Sequence, residues 1–282
     1  MTTMTRGQVL ETVREAQTAG RRADLFGANL TDADLRGANL TGANLTYADL
    51  TYADLTYADL TNADLTDANL TDANLTRADL TNADLRGADL RGADLAHAAL
   101  TGAILRDATL THANLAGTDL DGTYLRNANL TGANLRGADL RDADLTGTSL
   151  RSANLTRANL TNADLRGADL TRANLTNADL TRADLTNTNL THVWLRDTNL
   201  TRTTLTRANL TDVWLLGAHL TTKQLLDTRG LRPGGRGLTQ GTWNELLPTN
   251  TEQRQLVGHL LNDGWNGTLR EAIETVEGLA GR

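Results

Sequence analysis

Cysteine is absent from this 282-residue chain, proline occurs twice, and aromatic residues make up 3%. Without cysteine there is no disulfide framework, no thiolate metal site and no thiol nucleophile. Two prolines exclude a proline-rich linker or a collagen-like repeat. The scarcity of aromatics leaves few large side chains to fill a roughly spherical core. Long apolar runs are missing too: Asp, Asn, Thr or Arg interrupts them every few residues, so no segment reads as membrane-spanning. The opening MTTMTRGQVLETVREAQ lacks the apolar stretch of a secretory signal, which makes a cytoplasmic protein the expectation. Between residues 23 and 222 glutamate and lysine are also missing, so the charges of that stretch are Asp and Arg alone.

What the chain has instead is a beat of five. Every fifth residue from Leu25 to Leu220 is Leu, 40 in succession. Ala stands two positions earlier, replaced in places by Thr118, Thr123, Thr148, Thr188, Val193, Thr198, Thr203 and Val213. Asp or Asn usually precedes the Leu, and two small or polar residues follow it. Helices place apolar residues about 3.6 apart and strands 2 apart, so a strict five fits neither. It does fit a short extended piece that points residues i−2 and i inward and then turns, with Gly, Asn and Asp suiting the corners. Repetition winds such pieces into a coil whose levels must stack to bury their leucines. The six threonines at the Ala position have hydroxyls that can bond nearby backbone, and read as spacers that slightly widen the later coils.

Runs such as ADLTNADLRGADL resemble the pentapeptide-repeat proteins over residues 23 to 222. The resemblance implies an all-β solenoid, a right-handed quadrilateral β-helix with four pentapeptides per coil. That makes about ten coils, roughly 48 Å long at the usual strand spacing of about 4.8 Å. Residues 20 apart would then stack in columns. The interior would be a solid pile of Leu and Ala, and function would lie on the outside.

Both ends carry signals for helices. Thr5 with Gln8 forms a capping-box pattern, and Val9, Val13 and Ala16 share one helical face, so residues 1–22 read as an N-terminal capping helix. After Leu220 the beat is expected to end. Residues 223–241 read as a short helix and a Gly/Arg loop, and 242–282 as a C-terminal helical domain with Trp243 and Trp265 inside it. Thr242 with Glu245, Thr249 with Glu252 and Thr268 with Glu271 are its capping-box signals.

Catalytic constellations are not evident. The serines, Ser149 and Ser152, have no His one unit or 20 residues away, which disfavours a Ser-His-Asp triad. His112 and His192 share a column four coils apart, about 19 Å, too far for one metal. Columns such as Asp144, Asp164 and Asp184 follow from the repeat and read as solvated carboxylates. RPGGRG at 232 to 237 lacks the Lys-Ser/Thr of a phosphate loop. No enzyme activity and no cofactor is expected.

Charge divides the rod. Residues 23 to 122 hold 16 Asp and 5 Arg, net −11, whereas residues 123 to 222 hold 9 Asp and 11 Arg, net +2. An acidic surface does not bind nucleic acid through phosphate neutralisation, but it can imitate it. Five coils span roughly 24 Å, a length over which a duplex carries about 14 phosphates. Gyrase-protecting members of the resembled family are thought to be dimeric DNA mimics that relieve quinolone inhibition. The first expectation is a non-enzymatic scaffold or protein-interaction module. The alternative is a mimic that binds DNA gyrase or another type II topoisomerase through an acidic face of Asp49, Asp54, Asp59, Asp64, Asp67, Asp72, Asp79 and Asp84. Trp194 and Trp214, 20 apart, should stack on one side and be covered by the tail or used in homodimerisation, with Leu256, Leu260 and Ile273 as candidate partners on the tail. Tyr47, Tyr52 and Tyr57, five apart, should form a belt around the rod and no continuous stacking platform.

Overall fold

A computed structural model of the chain describes residues 4–231, 253, 255, 257, 258, 261, 265 and 267–280. From Asp24 onward the residue before each Leu forms a single parallel bridge to the residue 20 further on, in unbroken series from Asp24–Asn44 to Asn199–His219. The chain therefore rises one level every four pentapeptides. Four one-bridge sides replace the continuous strands of an ordinary sheet.

One unit, Ala48 to Tyr52, shows how its five backbone N–H groups are satisfied. The Ala48 N–H closes a turn onto the Leu45 carbonyl at 2.9 Å, and the Asp49 N–H reaches back one level to the Ala28 carbonyl at 2.9 Å. The Leu50 and Tyr52 N–H groups reach the next level at the Asn69 (2.7 Å) and Thr71 (3.1 Å) carbonyls. The fifth, on Thr51, donates to Asp49 Oδ1 at 3.1 Å. This last bond explains the preference for Asp or Asn before Leu: a short side-chain acceptor two residues back satisfies the one N–H that neither the turn nor the neighbouring level can reach.

The second corner residue lies at positive φ, the mark of a type II turn. Twenty-six non-glycine residues take this conformation, including Tyr47, Tyr52, Tyr57, Arg77 and His97, all with φ of 58°. Sequence reasoning assigned these corners to Gly, Asn and Asp. Bulkier residues are held there because the corner N–H bonds the level above, at every one of these positions except Arg202 and Asp212, so stacking overrides local preference.

From Leu30 to Leu195 each repeat leucine is at most 1% exposed, and from Ala33 onward the alanines two positions before them are buried. The interior is a solid aliphatic pile. Five of the six buried rod threonines link levels: Thr118, Thr148, Thr188, Thr198 and Thr203 each donate to a Leu carbonyl 23 residues back, as Thr118 does to Leu95 at 2.9 Å. Thr123 bonds within its own turn, to the Leu120 carbonyl.

Helix α1 (Arg6–Thr18) is opened by a reciprocal Thr5–Gln8 capping box and closed at Gly20, where Arg21 N–H bonds the Ala16 carbonyl. Its Val9, Val13 and Ala16 join the leucine core. Met4 N–H bonds the Asn29 carbonyl, and the Arg6 guanidinium bonds the carbonyls of Asp34 and Arg36. At the other end the beat outlasts Leu220, contrary to expectation. Leu225, inside helix α2 (Thr222–Leu226), is on the five-residue stride and buried in the same core, and Arg229 pairs with Asn209. A helical stretch hides these positions from a pattern search. Gln224 Nε2 satisfies the Leu200 and Thr203 carbonyls. Helix α3 (Leu269–Ala280) is capped by Thr268 and Glu271. It is fixed to the rod by Leu269 N–H on the Thr228 carbonyl, an antiparallel Thr268–Arg229 bridge and an Arg270–Asp227 ion pair at 2.6 Å. Trp243, Leu256, Leu260 and the Gly/Arg stretch 232–241 lie outside the described residues. Trp265 and Ile273 pack partly buried against the core.

Candidate functional site

With the interior filled, the side chains able to meet a partner are those before Leu and the two at each corner. The bridges sort the residues before Leu into four columns. One runs Asp24, Asn44, Asp64, Asp84, Ile104, Tyr124, Asp144, Asp164, Asp184. A second holds Asp34, Asp54, Asn74, Asp94, then Asn114, Asn134, Asn154, Asn174, then Trp194 and Trp214. Along the second the amides bond in a ladder, Asn134 to Asn114 at 3.0 Å and Asn154 to Asn134 at 3.3 Å.

The sequence-derived acidic residues are spread around the rod. Asp64 and Asp84 share one column and Asp59 and Asp79 another, while Asp49 and Asp54 occupy the remaining two. Asp67 and Asp72 are corner residues whose Oδ1 atoms lie over Gly87 and Gly92 of the next level. Most of these carboxylates are bonded and not merely solvated. Asp54, Asp59 and Asp79 each accept the N–H two residues on, at 3.0, 2.9 and 2.9 Å. Asp64 accepts both N–H and hydroxyl of Thr66, and Asp84 is held bidentately by Arg86. The Thr51 hydroxyl keeps the Asp49 carboxyl below its ordinary range. For Asp59 and Asp64 burial pushes upward, but the hydroxyl and N–H groups of Thr61 and Thr66 outweigh it, and both carboxyls end lowered. These three therefore stay ionised at neutral pH while serving as turn acceptors.

Trp194 and Trp214 stack with ring centroids 5.8 Å apart and planes tilted by 31°. They are 52% and 37% exposed, and Leu216, at the corner two residues after Trp214, is 64% exposed. Two exposed indoles thus stand at the end of a column otherwise made of amides and carboxylates. The described part of the tail meets the rod at Asp227–Arg229, on a different column. Tyr47, Tyr52 and Tyr57 are exposed at successive corners; Tyr47 packs edge-on to Phe26, and Arg77 covers and hydrogen-bonds Tyr57.

A second departure escaped attention in the sequence. Corner arginines that follow Asp, such as Arg86 and Arg166, are neutralised by it. At Arg106 and Arg126 the Asp position holds Ile104 and Tyr124, and among the described residues neither arginine has an ion-pair partner. Arg106 instead covers the ring of Tyr124, which is 45% exposed. The signal was present in the text of the chain as AILRD and TYLRN, units lacking Asp or Asn before Leu. Among the described residues no group of three or more His, Asp or Glu gathers as for a metal, and no helix is long and apolar enough to cross a membrane.

The geometry defines a class: a β-solenoid with a solid aliphatic interior and only its surface available for recognition. The profile described as pentapeptide repeats matches in eight copies, over residues 23–62, 53–92, 88–127, 108–147, 153–191 and 183–221. The chain belongs to the pentapeptide-repeat family, whose fold is the right-handed β-helix. Among solved structures it is similar to HetL, a pentapeptide repeat protein involved in heterocyst differentiation regulation in the cyanobacterium Nostoc sp. strain PCC 7120. The identity is 34% over 77% of this chain and 91% of that one, with a TM-score of 0.38. It is similar to trypsin-treated QnrB1, a plasmid-mediated fluoroquinolone resistance protein, at 20% identity over 72% and 93% of the chains, TM-score 0.40. It is also similar to Rfr23 from the cyanobacterium Cyanothece 51142, at 36% identity over 37% and 62%, TM-score 0.25. No curated protein sequence matches it.

Proposed function

We propose that this chain is a non-enzymatic protein-binding rod of about ten coils, closed by α1 at one end and by α2 and α3 at the other. Its main contact surface is formed by Trp194 and Trp214, with Leu216 at the corner that follows. The observation that carries the reading is the exposure of two stacked indoles at positions where the repeat otherwise places Asp or Asn. Large aromatics held rigid on a stacked backbone lose little side-chain freedom on binding and are typical interface anchors. Replacing both tryptophans by Asn, the residue at position 174 of the same column, removes the cluster without altering the repeat. Affinity capture with the full chain and with the Trp194→Asn/Trp214→Asn variant, compared by quantitative mass spectrometry, should show partners that are retained by the first and lost by the second. Identical captured sets would overturn the reading.

A second reading rests on the acidic first half. Its net −11 approaches the charge of a duplex of equal length, and Asp49, Asp59 and Asp64 keep that charge at neutral pH. On this reading the N-terminal levels occupy the basic DNA groove of a type II topoisomerase such as DNA gyrase. Purified gyrase assayed for supercoiling, with and without ciprofloxacin, should respond to the chain in a salt-sensitive manner. No effect on activity or on drug inhibition would remove this reading.

A further inference from the structure

Where the last level of the rod meets the C-terminal segment there is a cavity of about 440 Å³, within the range that holds small organic ligands. Arg207, Arg229 and Asn187 form its polar wall, and Leu231, Leu261 and Trp265 its apolar wall. The Trp265 indole N–H already donates to the Thr268 carbonyl at 3.2 Å, so this residue offers the cavity apolar surface.

Arg229 Nε is buried and, among the described residues, has no hydrogen-bond partner. A buried donor on a charged group without an acceptor is unfavourable beyond what a neutral one would be. Main-chain bonds prevent escape: Arg229 N–H donates to the Ala208 carbonyl, and its own carbonyl accepts from Leu210, both at 2.8 Å. The second guanidinium belongs to Arg207, a corner residue with φ of 56° whose N–H bonds the Asp227 carbonyl.

The carboxylates at hand are engaged elsewhere. Asp227 pairs with Arg270 at 2.6 Å. Glu271 accepts the Thr268 N–H at 2.7 Å, and that bond is the main reason its carboxyl is lowered, with smaller contributions from the charges of Arg229 and Arg207. Among the described residues, two guanidiniums against the one nearby carboxylate of Glu271 leave one positive charge uncompensated. A phosphate monoester, carrying about −1.5 to −2, would overshoot that balance. A carboxylate matches it and accepts from a guanidinium fork in the same plane.

We propose that this cavity binds a small organic monocarboxylate with an apolar body. Its oxygens take the free donor of Arg229 and the guanidinium of Arg207, and its body lies against Leu231, Leu261 and Trp265. The site is independent of the surface cluster of Trp194 and Trp214, and its test does not involve a protein partner.

Isothermal titration of the full chain at pH 7 and low salt compares 4-phenylbutyrate, its neutral amide and phenyl phosphate. The acid should bind at least about tenfold more tightly than either of the others, and Arg229→Gln and Arg207→Gln should each cost about tenfold or more in its affinity. Should Arg229→Gln disturb the docking of α3, visible as a lowered thermal midpoint, Arg207→Gln at its exposed corner carries the comparison alone. Failure of the acid to bind, equal binding of acid and amide, tighter binding of phenyl phosphate, or unchanged acid binding in Arg207→Gln would overturn the proposal.

Discussion

Replacing Asp64 by alanine and by asparagine separates two roles that one carboxylate fills in this fold. Asp64 accepts the Thr66 N–H at 3.1 Å and the Thr66 hydroxyl at 2.7 Å. Alanine removes both bonds and leaves the N–H to solvent at a half-buried corner; at about 0.5–1.5 kcal/mol per bond the loss should be about 1–3 kcal/mol. Asparagine keeps an oxygen in the same place. It forfeits charge assistance, but it also removes repulsion from Asp84, one level up in the same column, worth about 0.8 kcal/mol at 5 Å in water. The expected change for Asp64→Asn is therefore below about 0.5 kcal/mol. Urea unfolding monitored by circular dichroism, with similar slopes for all three proteins, gives the comparison.

The pH dependence adds a second readout. Burial pushes the Asp64 carboxyl upward, but the bonds from Thr66 and Thr46 outweigh it and leave the group below its ordinary value. The unfolded chain thus takes up its proton first on acidification. The stability contributed by this group is complete above about pH 4 to 5 and is lost as pH falls through the lower folded value. Asp64→Asn should flatten that part of the acid limb, while leaving stability at pH 7 nearly unchanged. An asparagine variant as unstable at pH 7 as the alanine one would refute the turn-acceptor argument, and an alanine variant of wild-type stability would refute it equally.

Other expectations follow from single contacts. A Cβ on Gly87 would lie 2.2 Å from Asp67 Oδ1, whereas one on Gly122 meets nothing within 4 Å; both have positive φ. Gly122→Ala should cost about 1 kcal/mol or less and Gly87→Ala measurably more, the difference vanishing in Asp67→Ala/Gly87→Ala by denaturant titration. Thr118→Val, which deletes the hydroxyl bond to the Leu95 carbonyl on the level below, should cost about 1 kcal/mol in the same assay. Leu110→Ala, at a fully buried position, should cost about 2–5 kcal/mol, since a solid interior has nothing with which to refill the cavity. The single variant Trp214→Asn should abolish the near-ultraviolet dichroism of the stacked indoles while shifting the unfolding midpoint little.

The five-residue leucine stride carried the stacked coil and its aliphatic interior; the family resemblance carried the four units per coil, from which the twenty-residue register and the stacking of Trp194 on Trp214 followed. Three things did not. Leu225 keeps the stride inside a helix, where the surrounding TKQLL masks it. Tyr52 and Arg77 sit at positive φ, because level-to-level hydrogen bonding imposes a conformation their own preferences oppose. Arg229, whose Nε is buried and has no hydrogen-bond partner among the described residues, bridges Thr268 just ahead of α3, a contact between distant segments that no local pattern encodes.

The same hydrogen bonds bear on how the acidic half is to be understood. An Asp before Leu is selected by the turn as strongly as by any partner, and Asn satisfies the turn equally well. The choice between them is therefore where charge can vary without structural cost, and net −11 against +2 is a difference the fold does not require. The positions that break the rule outright are a separate class. Ile104, Tyr124, Ala99, Trp194 and Trp214 have no side-chain acceptor for the N–H two residues on, so each gives up a bond the repeat ordinarily makes. In the first two the neighbouring arginine loses its carboxylate as well. Partner recognition should map to these interruptions, and exchanging Ile104 and Tyr124 for Asp should stabilise the rod by restoring the turn bonds and pairing Arg106 and Arg126. A rod left unchanged or weakened by that exchange would mean that the missing acceptors are compensated in place, and the interruptions would then lose their standing as sites held for something other than stability.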